Sequence, residues 1–564
     1  MVSHTQQPQP ALSADRPYAR LRVLSPIHQR GTLLLMQRSF ALRLAALCLV
    51  AASPLFASAQ SSRPAAKPAA AKTQPVPKER TVVTHASVTI DGQTIPYTAT
   101  AGTLLLYNKK HETIASVFYV AYTKDGVKDP STRPVTFAWN GGPGGASALV
   151  DIGGFGPRRL VWPHPGSAQG ELPPYHLVNN QYSILNSTDL VFIDAVGTGY
   201  SRIVGKGMPK MFYGFNEDAA TFAQIIQRYI TRFHRWNSPK FLLGESYGTT
   251  RNALLANDLV NAGVYLNGVI ECSTVLNFQT IDFMPGNDLP YATYLPSYAA
   301  TAWYHHKLNP EPASLESVVQ KAESFASGPY LSALFAGNAL PAAQKQQIAA
   351  QLAQLTGIPA SLWLKANLRI SLPVFRRRLL GSADSMTGRY DSRFTTPELQ
   401  PLMPIPGNDA AGASDTAING ALAATFDNYL TQTLHYTSDR IYKQMSGLVF
   451  HDWDWKYRSL INAMGAGVGY TASPNVAPAL ARAMNNDPAM HVMFNNGYYD
   501  MATPFYATMY TFRHMAIPAS EQANVHFYYY PVGHMLYVNL KAMPALQKNI
   551  DSFIASADSQ SAAR

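Results

Sequence analysis

Cysteine is almost missing from this sequence of 564 residues, which contains only Cys48 and Cys272. Cys48 lies in an N-terminal apolar segment that we expect to be removed, so one cysteine would remain in the mature chain. A single cysteine cannot form an intramolecular disulfide, which excludes a small fold held together by disulfide bonds. A chain of this length can instead bury a core that is stable without cross-links.

Charged side chains are also scarce. They make up 14% of the residues, against about 25% in typical soluble proteins. This composition excludes a charge-rich disordered scaffold, and a hydrophobic content of 47% is enough for a large core. Because the chain is longer than most single domains, we expect one large domain with an insertion, or two domains.

The net charge of +11 is concentrated at the N-terminus. Residues 1–59 contain six arginines and one aspartate, and residues 60–80 contain five basic residues and one glutamate. These two segments contribute +5 and +4, which leaves +2 for residues 81–564. A nucleic-acid partner is therefore not expected, since the folded part of the chain has little excess positive charge.

Residues 37–59 are typical of a secretory signal. Arg38 and Arg43 precede the apolar run 44–52, which is too short to span a membrane, and residues 57–59 read ASA, as at a signal cleavage site. We predict cleavage before Gln60, export to the periplasm or the medium, and no membrane association afterwards. An uncleaved anchor is the alternative, and whether translation starts at Met1 or Met36 stays open.

The body of the sequence has the pattern of an α/β protein. Short β-rich runs at 81–90, 94–99, 103–107 and 116–122 predict an antiparallel meander. Several later apolar runs do not alternate with polar residues, which is typical of strands buried on both faces of a sheet. These runs are 135–139, 189–194, 241–244, 269–272 and 491–494, with 525–530 last. With helical periodicity at 216–233 between two of them, they predict a mainly parallel sheet.

Residues 285–450 differ, because helix-favouring segments alternate there with loops. We predict that they form a mainly helical insertion, or lid; an independent second domain is the alternative. The predicted division is a signal region at 1–59, a Pro/Ala/Lys-rich linker at 60–80, the N-terminal part of the core at 81–284, the insertion at 285–450, and the C-terminal part of the core at 451–564.

The motif G-x-S-x-G occurs at residues 244–248, which read GESYG. It follows the apolar run 241–243 and precedes a predicted helix at 249–260. A strand, a tight turn and a helix form the context in which such a serine becomes an exposed nucleophile. We therefore predict that Ser246 is a nucleophile, and a purely structural turn is the alternative.

A nucleophilic serine needs a histidine base and an acid that orients the histidine. In α/β hydrolases the chain order is serine, acid, histidine. His534 follows the predicted strand 525–530 and lies in a loop, whereas His526 and His514 lie in a predicted strand and helix. We therefore favour His534 as the base.

Asp500 is the favoured acid because it follows the predicted strand 491–494, 34 residues before His534. No strand clearly precedes Asp452 or Asp454, which are weaker candidates.

A glycine-rich turn at residues 139–145, WNGGPGG, follows the predicted strand 135–139. This is where α/β hydrolases place one backbone N–H of the oxyanion hole, and the N–H of Tyr247, after the nucleophile, supplies the other. A phosphate-binding loop is excluded because the pattern G-x-x-x-x-G-K-[ST] is absent.

Four ordered motifs resemble those of the serine carboxypeptidases, an α/β-hydrolase lineage. They are NGGPG at 140–144, DAVGTGYS at 194–201, GESYG at 244–248, and the NG…D of 496–500 with GHM at 533–535. Together they span about residues 135–540. The resemblance implies the α/β-hydrolase fold, with a mostly parallel central sheet and a helical insertion before the acid.

The resemblance also implies roles for individual residues. Ser246 would be the nucleophile, His534 the base and Asp500 its partner. Gly142 and Tyr247 would supply the oxyanion amides, and Asn140 and Glu245 would hold the free α-carboxylate of the substrate. Two carboxylates in contact repel each other, so this contact requires a shared proton and predicts tighter capture at acidic pH.

One departure concerns the carboxylate site. The family often has Glu two residues before a Gly-Pro pair, and here Gly154 stands in that position, before Gly156 and Pro157. Whether Asp151 compensates is left open by the sequence.

The leading hypothesis is an exported serine carboxypeptidase that acts on peptides with a free C-terminal carboxylate through an acyl-enzyme on Ser246. An esterase or acyltransferase with the same triad is the first alternative, and a binding protein with an inactive site is the second. No cofactor is expected. No metal is expected either, because His305 and His306 lack neighbouring ligands at metal-binding spacing. The oligomeric state is not predicted.

Overall fold

The computed structural model describes residues 75–162, 172–381, 385–397, 412–459, 470–471 and 473–562. All of them belong to one compact unit, Lys72–Arg564. The predicted signal region, 1–59, and residues 60–74 of the predicted linker lie outside the described residues. Among the residues that are described, no helix combines the length and the apolar character needed to cross a bilayer.

Sixteen strands occur in the described part of the chain. They are β1 (Thr81–Ile90), β2 (Gln93–Tyr107), β3 (Thr113–Lys124), β4 (Val135–Trp139), β5 (Arg158–Leu160), β6 (Leu177–Asn179), β7 (Asp189–Ile193), β8 (Arg202–Ile203), β9 (Lys240–Glu245), β10 (Gly268–Cys272), β11 (Ser385–Thr387), β12 (Thr395–Pro397), β13 (Tyr457–Arg458), β14 (Tyr470–Thr471), β15 (His491–Gly497) and β16 (Val525–Tyr530).

The main sheet has the order β1-β2-β3-β7-β4-β9-β10-β15-β16, and β8 pairs beside it with β3. The first three strands form an antiparallel meander that joins β7 in antiparallel fashion. From β7 to β16 every neighbouring pair is parallel. The predicted α/β-hydrolase fold with a mostly parallel central sheet is confirmed. One detail was wrong: the runs predicted as two strands at 94–99 and 103–107 form the single long strand β2.

The α-helices of the described residues flank the sheet or lie between β10 and β15. They are α1 (Ala148–Val150), α2 (Phe215–Arg232), α3 (Tyr247–Asn261), α4 (Leu289–Tyr304), α5 (Leu315–Phe325), α6 (Leu331–Ala336), α7 (Ala342–Thr356), α8 (Ala360–Lys365), α9 (Leu372–Arg378), α10 (Gly412–Asn428), α11 (Gly447–His451), α12 (Ala477–Asn486), α13 (Phe505–Arg513), α14 (Ala519–Gln522) and α15 (Met543–Ala562). Short 3-10 or π-helical turns occur at Pro130–Thr132, Asp151–Phe155, Ile184–Asn186, Pro209–Met211, Phe278–Thr280, Ala326–Tyr330, Gly337–Ala339, Tyr429–Thr433 and Leu536–Val538.

The central strands are buried on both faces, which explains why their sequences do not alternate. Every residue of β4, β7, β9 and β10 is buried. On one face the core includes Phe553 and Ile554 of α15. On the other face it includes Phe222 of α2, Leu255 of α3 and Leu480 of α12. Burial of this apolar area is the main source of stability in a fold of this kind.

The segment between β10 and β15 contains α4 to α12 among its described residues. Helices α4 to α9 share a third apolar core, which includes Leu295, Leu352 and Phe375, whereas α10 to α12 contribute to the two cores that cover the main sheet. The chain then returns to the main sheet, because β15 pairs in parallel with β10 from Gly268 and His491 onward. The predicted limits of the insertion, 285 and 450, and the other domain limits stay predictions.

Parallel strands place their carboxyl ends at one edge of a sheet, and ligands of open α/β sheets bind at this edge. The segments that follow β4, β9, β15 and β16 therefore meet there. These four segments contain six of the seven residues for which the sequence predicted a role in the site, and the seventh, Glu245, is the last residue of β9.

Candidate active site

Ser246 occupies a sharp turn between β9 and α3. Its backbone has φ 59° and ψ −126°, in the region that residues with a side chain rarely adopt. The turn requires glycine on both sides: a Cβ on Gly244 would lie 2.3 Å from the carbonyl oxygen of Gly248. The backbone N–H of Ser246 donates to the carbonyl of Cys272 at 2.9 Å. The GESYG sequence thus forms a strained elbow that presents the serine side chain.

His534 and Asp500 are joined at the same edge of the sheet. His534 Nδ1 lies 2.8 Å from Asp500 Oδ2, and both side chains are buried. The other oxygen, Oδ1 of Asp500, accepts the backbone N–H groups of Ala502 at 2.7 Å and Thr503 at 2.9 Å. The carboxylate is therefore held from two sides and points at the imidazole.

The contacts of Thr503 determine which nitrogen of His534 carries the proton. Thr503 Oγ1 donates its hydrogen to Asp500 Oδ2 at 2.7 Å, so it has none left for His534 Nδ1. Nδ1 is then the donor to Asp500, and Nε2 is free to accept a proton. Burial lowers the pKa of His534, but the negative charges of Asp500 and Glu245 and the hydrogen bond to Asp500 together outweigh burial, and the net result is a raised pKa.

Ser246 and His534 line one cavity of about 100 Å³, together with Asn140, Gly142 and Glu245. Three larger cavities occur among the described residues, and none of these three is lined by Ser246, His534 or Asp500. Chemistry and not size therefore identifies the site.

The glycine-rich turn after β4 packs directly on the elbow. A Cβ on Gly141 would lie 2.4 Å from the backbone nitrogen of Tyr247, so only glycine fits there. Tyr247 is the first residue of α3, and the first N–H groups of a helix have no acceptor within it. Gly142, with φ 115°, lines the cavity beside it. The backbone nitrogen of Tyr247 thus lies against the glycine-rich turn that contains Gly142.

Asn140 and Glu245 form a buried hydrogen-bonded pair on the cavity wall. Asn140 Nδ2 donates to Glu245 Oε2 at 2.8 Å, and Asn140 Oδ1 accepts the backbone N–H of Val150 at 3.0 Å. The second contact fixes the orientation of the amide. Burial raises the pKa of Glu245, which His534 and Asn140 offset only in part. Glu245 therefore keeps its proton to higher pH than an exposed glutamate.

Tyr537 is a member of this site that the sequence did not indicate. Its hydroxyl lies 3.3 Å from Asn140 Nδ2, and burial raises its pKa well above the ordinary value. A Cβ on Gly154 would lie 2.8 Å from Cγ of Tyr537. The neutral phenol therefore occupies the space beside Gly154, where family members often carry glutamate. Asp151 does not fill this place, because its Oδ2 accepts the hydroxyl of Tyr122 at 3.0 Å.

Residues from the segment predicted as an insertion complete the cavity. The N–H of His534 donates to the carbonyl of Tyr390 at 2.6 Å, and the two rings lie 5.0 Å apart. Residues 444–446 pair with the glycine-rich turn. The backbone N–H of Ala146 donates to the carbonyl of Gln444 at 2.8 Å. Tyr390, Gln444 and Met445 all line the cavity. No local motif marks these residues, so sequence reasoning missed them.

Arg251, on α3, contacts the backbone of the glycine-rich turn at Asn140. Its guanidinium donates to the carbonyl of Asn140 at 3.0 Å and pairs with Asp218 at 2.7 Å. Both side chains are buried beside the ring of Phe222. The sequence did not indicate this residue either. No group of three or more His, Cys, Asp or Glu residues in the described ranges is arranged to hold a metal ion.

Residues 93–354 match the family model of serine carboxypeptidases. The similarity to serine carboxypeptidases therefore covers 262 of the 564 residues. It supports a hydrolase of the serine carboxypeptidase type. The matched segment contains Asn140, Glu245 and Ser246, and the chain reaches Asp500 and His534 after it. No curated protein matches the chain.

Solved structures with a similar fold include three hydrolases. The prohormone-processing carboxypeptidase from Saccharomyces cerevisiae is 16% identical, with 82% of this chain and 92% of that chain covered and a TM-score of 0.49. The proline iminopeptidase of Mycobacterium smegmatis is 13% identical, with 82% and 99% covered and a TM-score of 0.34. Esterase E22 is 11% identical, with 85% and 100% covered and a TM-score of 0.31.

Proposed function

We propose that this carboxypeptidase releases the C-terminal amino acid from peptides through an acyl-enzyme on Ser246. The observation that carries the proposal is the hydrogen bond of 2.8 Å between His534 Nδ1 and Asp500 Oδ2 at the cavity lined by Ser246 and His534. This bond leaves the Nε2 side of the imidazole to act as the base.

In the acylation step, Ser246 Oγ attacks the carbonyl carbon of the last peptide bond and His534 Nε2 takes the hydroxyl proton. The negative charge on the carbonyl oxygen is stabilised by the N–H groups of Gly142 and Tyr247. The C–N bond then breaks, and His534 gives its proton to the leaving amine. The C-terminal amino acid departs, and the rest of the peptide stays bound to Ser246 as an ester.

In the deacylation step, water attacks the ester carbon and gives a proton to His534. The second tetrahedral intermediate collapses, its C–O bond to Ser246 breaks, and the proton returns to Ser246 Oγ. The shortened peptide leaves with a new carboxylate, and the enzyme has its starting protonation. Asp500 stays ionised throughout and stabilises the imidazolium form of His534.

The pair Asn140 and Glu245 supports recognition of a free carboxylate. Asn140 has two amide hydrogens, of which one is engaged by Glu245 at 2.8 Å and the other faces the Tyr537 hydroxyl at 3.3 Å. Protonated Glu245 is then the donor that meets the substrate carboxylate, and Asn140 holds Glu245 in position. Binding is expected to weaken as the pH rises through the raised pKa of Glu245, because the resulting anion repels the substrate.

The proposal is tested with N-blocked dipeptides assayed for release of the free C-terminal amino acid between about pH 4 and 8. We expect release by the wild type and a loss of at least about 10³-fold in Ser246→Ala. A fluorophosphonate probe should label the wild type and not this variant. If the wild type takes the probe but releases no amino acid at any pH, the carboxypeptidase proposal is wrong.

A second candidate is an esterase or acyltransferase with the same triad. The contact between Gly154 and Tyr537 favours this second candidate. It stands where serine carboxypeptidases often have a glutamate, so the proposed carboxylate site has one carboxyl group fewer than in those enzymes. The decisive comparison is between a dipeptide with a free carboxylate and its methyl ester. Equal or faster turnover of substrates that have no free carboxylate would select the second candidate.

We also propose that the chain is exported, on the strength of the signal-like residues 37–59. The test is N-terminal sequencing of the protein recovered outside the cytoplasm, which should begin at Gln60. A protein that stays in the cytoplasm with residues 37–59 intact would contradict this.

A further inference from the structure

A cavity of about 410 Å³ lies beside the antiparallel strands β2 and β3, and cationic side chains dominate its lining. We call it the basic cavity and define it by Lys78, Arg80, Arg202 and Arg440. Asp439 is the carboxylate in its lining, so the formal charge is +3. None of the lining residues belongs to the cavity that holds Ser246 and His534.

Two of these arginines have no acidic partner. In the described part of the chain, neither Arg202 nor Arg440 makes a salt bridge, although Arg202 is half-buried. Burial lowers the pKa of Arg202 and the neighbouring charge of Arg440 lowers it further, whereas Tyr436 and Asp439 raise it in part. By contrast, the buried arginines Arg133 and Arg235 share Asp189 at 2.8 and 2.6 Å. Asp439 thus acts on Arg202 from nearby, but within the described residues no salt bridge neutralises Arg202 or Arg440.

Ser116 provides an independent sign of a missing partner. It lies opposite Arg202 in the antiparallel pairing of β3 and β8, so the two side chains share one face of the sheet. Ser116 is 1% exposed, and within the described residues its hydroxyl has no hydrogen-bond partner. A buried hydroxyl without a partner is costly. Since Ser116 lines the basic cavity, a bound ligand can supply that partner.

Arg80 is held at the cavity by contacts that do not neutralise it. Its guanidinium donates to the carbonyl of Thr437 at 2.5 Å and lies 4.4 Å from the ring centre of Tyr436. These contacts fix the direction of the side chain and leave its charge uncompensated.

We propose that the basic cavity is a binding site for a phosphate group, either free phosphate or a phosphate monoester. Guanidinium groups match the oxygens of phosphate in pairs, and a charge of +3 suits a dianion. A phosphate monoester also offers three acceptor oxygens, enough for Arg202, Arg440 and the Ser116 hydroxyl at once. A carboxylate carries a single negative charge on two oxygens in one plane, and therefore suits the charge of +3 and three donors from different directions less well. The proposal does not depend on the reaction proposed for Ser246.

The test is calorimetric titration of the full chain with inorganic phosphate and with glycerol 3-phosphate, at constant ionic strength. We expect saturable binding with one site per chain, and the tighter of the two ligands identifies a free ion or a monoester. Arg440→Gln, which changes an exposed residue, should weaken binding about tenfold. Arg202→Gln should do the same, and Ser116→Ala should weaken binding about threefold without lowering the melting temperature.

The matched control is Arg458→Gln, an exposed arginine that is paired with Glu217 at 2.8 Å, and it should bind phosphate like the wild type. Three results would overturn the proposal. They are no saturable heat up to about 10 mM ligand, equal weakening in Arg458→Gln and Arg440→Gln, and succinate binding as tight as phosphate binding. The last result would assign the basic cavity to carboxylates.

Discussion

Glu245 Oε1 lies 3.8 Å from His534 Nε2, so the carboxyl proposed to hold the substrate's C-terminus is also an electrostatic neighbour of the proposed base. Each group stabilises the charged form of the other: Glu245 raises the pKa of His534, and His534 lowers that of Glu245. Substrate capture and proton transfer are therefore coupled through the electrostatic interaction between Glu245 and His534. Acid favours capture, whereas the neutral imidazole needed for attack is favoured by a higher pH.

Glu245→Gln should separate these two effects. The amide of Gln donates a hydrogen bond at every pH, so the KM for a free-carboxylate dipeptide should lose its dependence on pH. In the wild type, KM should rise as the pH increases through the raised pKa of Glu245. The acid limb of kcat should move to lower pH in the variant, because His534 loses a neighbouring negative charge. Steady-state kinetics across the pH range measures both.

The control for this experiment is Glu271→Gln on the adjacent strand β10. Glu271 is also buried with a raised pKa, but its Oε2 accepts from Asn252 at 2.9 Å. Its substitution should leave the pH profiles of KM and kcat in place. A KM that still rises with pH in Glu245→Gln would show that another group controls capture.

Tyr537→Phe should weaken substrate capture without slowing the chemical step. Loss of the hydroxyl frees the Asn140 amide that holds Glu245, and a hydrogen bond of this kind contributes about 1 kcal/mol. We expect a rise in KM of about fivefold for free-carboxylate dipeptides, with kcat and the turnover of esters nearly unchanged. Tyr122→Phe, which removes the hydrogen bond to Asp151, is the matched control. An equal rise in KM in this control would give Asp151 a role in capture.

Gly154→Ala should destabilise the fold, because the new Cβ would lie 2.8 Å from the Tyr537 ring. Overpacking of this kind costs about 1 to 3 kcal/mol. The urea midpoint should be lower in Gly154→Ala than in the wild type. In a background that already contains Tyr537→Ala, adding Gly154→Ala should lower the midpoint much less. Additive free energies in this double-mutant cycle would contradict direct contact between the two positions.

Asp194→Asn should change how stability depends on pH. Burial raises the pKa of Asp194 to about 6, above its unfolded value, so the folded state holds this proton more tightly. The contribution of Asp194 to the free energy of unfolding is then largest below about pH 4 and falls by roughly 3 kcal/mol as the pH rises past 6. Asn still accepts the hydroxyl of Tyr442 but cannot titrate. Urea unfolding at several pH values should show a flatter curve for the variant, and parallel curves would refute this.

The sequence predicted Ser246, Asp500, His534 and the two oxyanion amides because each lies next to the end of a predicted strand, whereas the roles of Asn140 and Glu245 came from the resemblance to serine carboxypeptidases. Parallel strands bring such positions together whatever their separation along the chain, as for Ser246 and His534. The elbow also has a local signal, since the turn at Ser246 needs glycine at two neighbouring positions. These features are carried by short motifs and by strand order.

The contacts that surround the site could not be predicted in the same way. Tyr537 and Gly154 are 383 positions apart, and their contact depends on the path of two loops and not on a periodic pattern. Tyr390 likewise reaches His534 from a loop between β11 and β12, which no motif marks. The merging of two predicted strands into β2 has another cause: the pairing of β2 with β3 continues through Gly102, although glycine normally weakens a strand.

The wall of the cavity and the proposed triad come from separate segments of the chain. The residues of the proposed triad follow strands of the central sheet, whereas residues 444–446 come from the long segment between β10 and β15 and attach to the glycine-rich turn through backbone hydrogen bonds. Side chains at Gln444 and Met445 can thus be exchanged without disturbing the strands or the triad. This short segment is therefore the natural position for changing, by design, the shape of the cavity that Ser246 and His534 line.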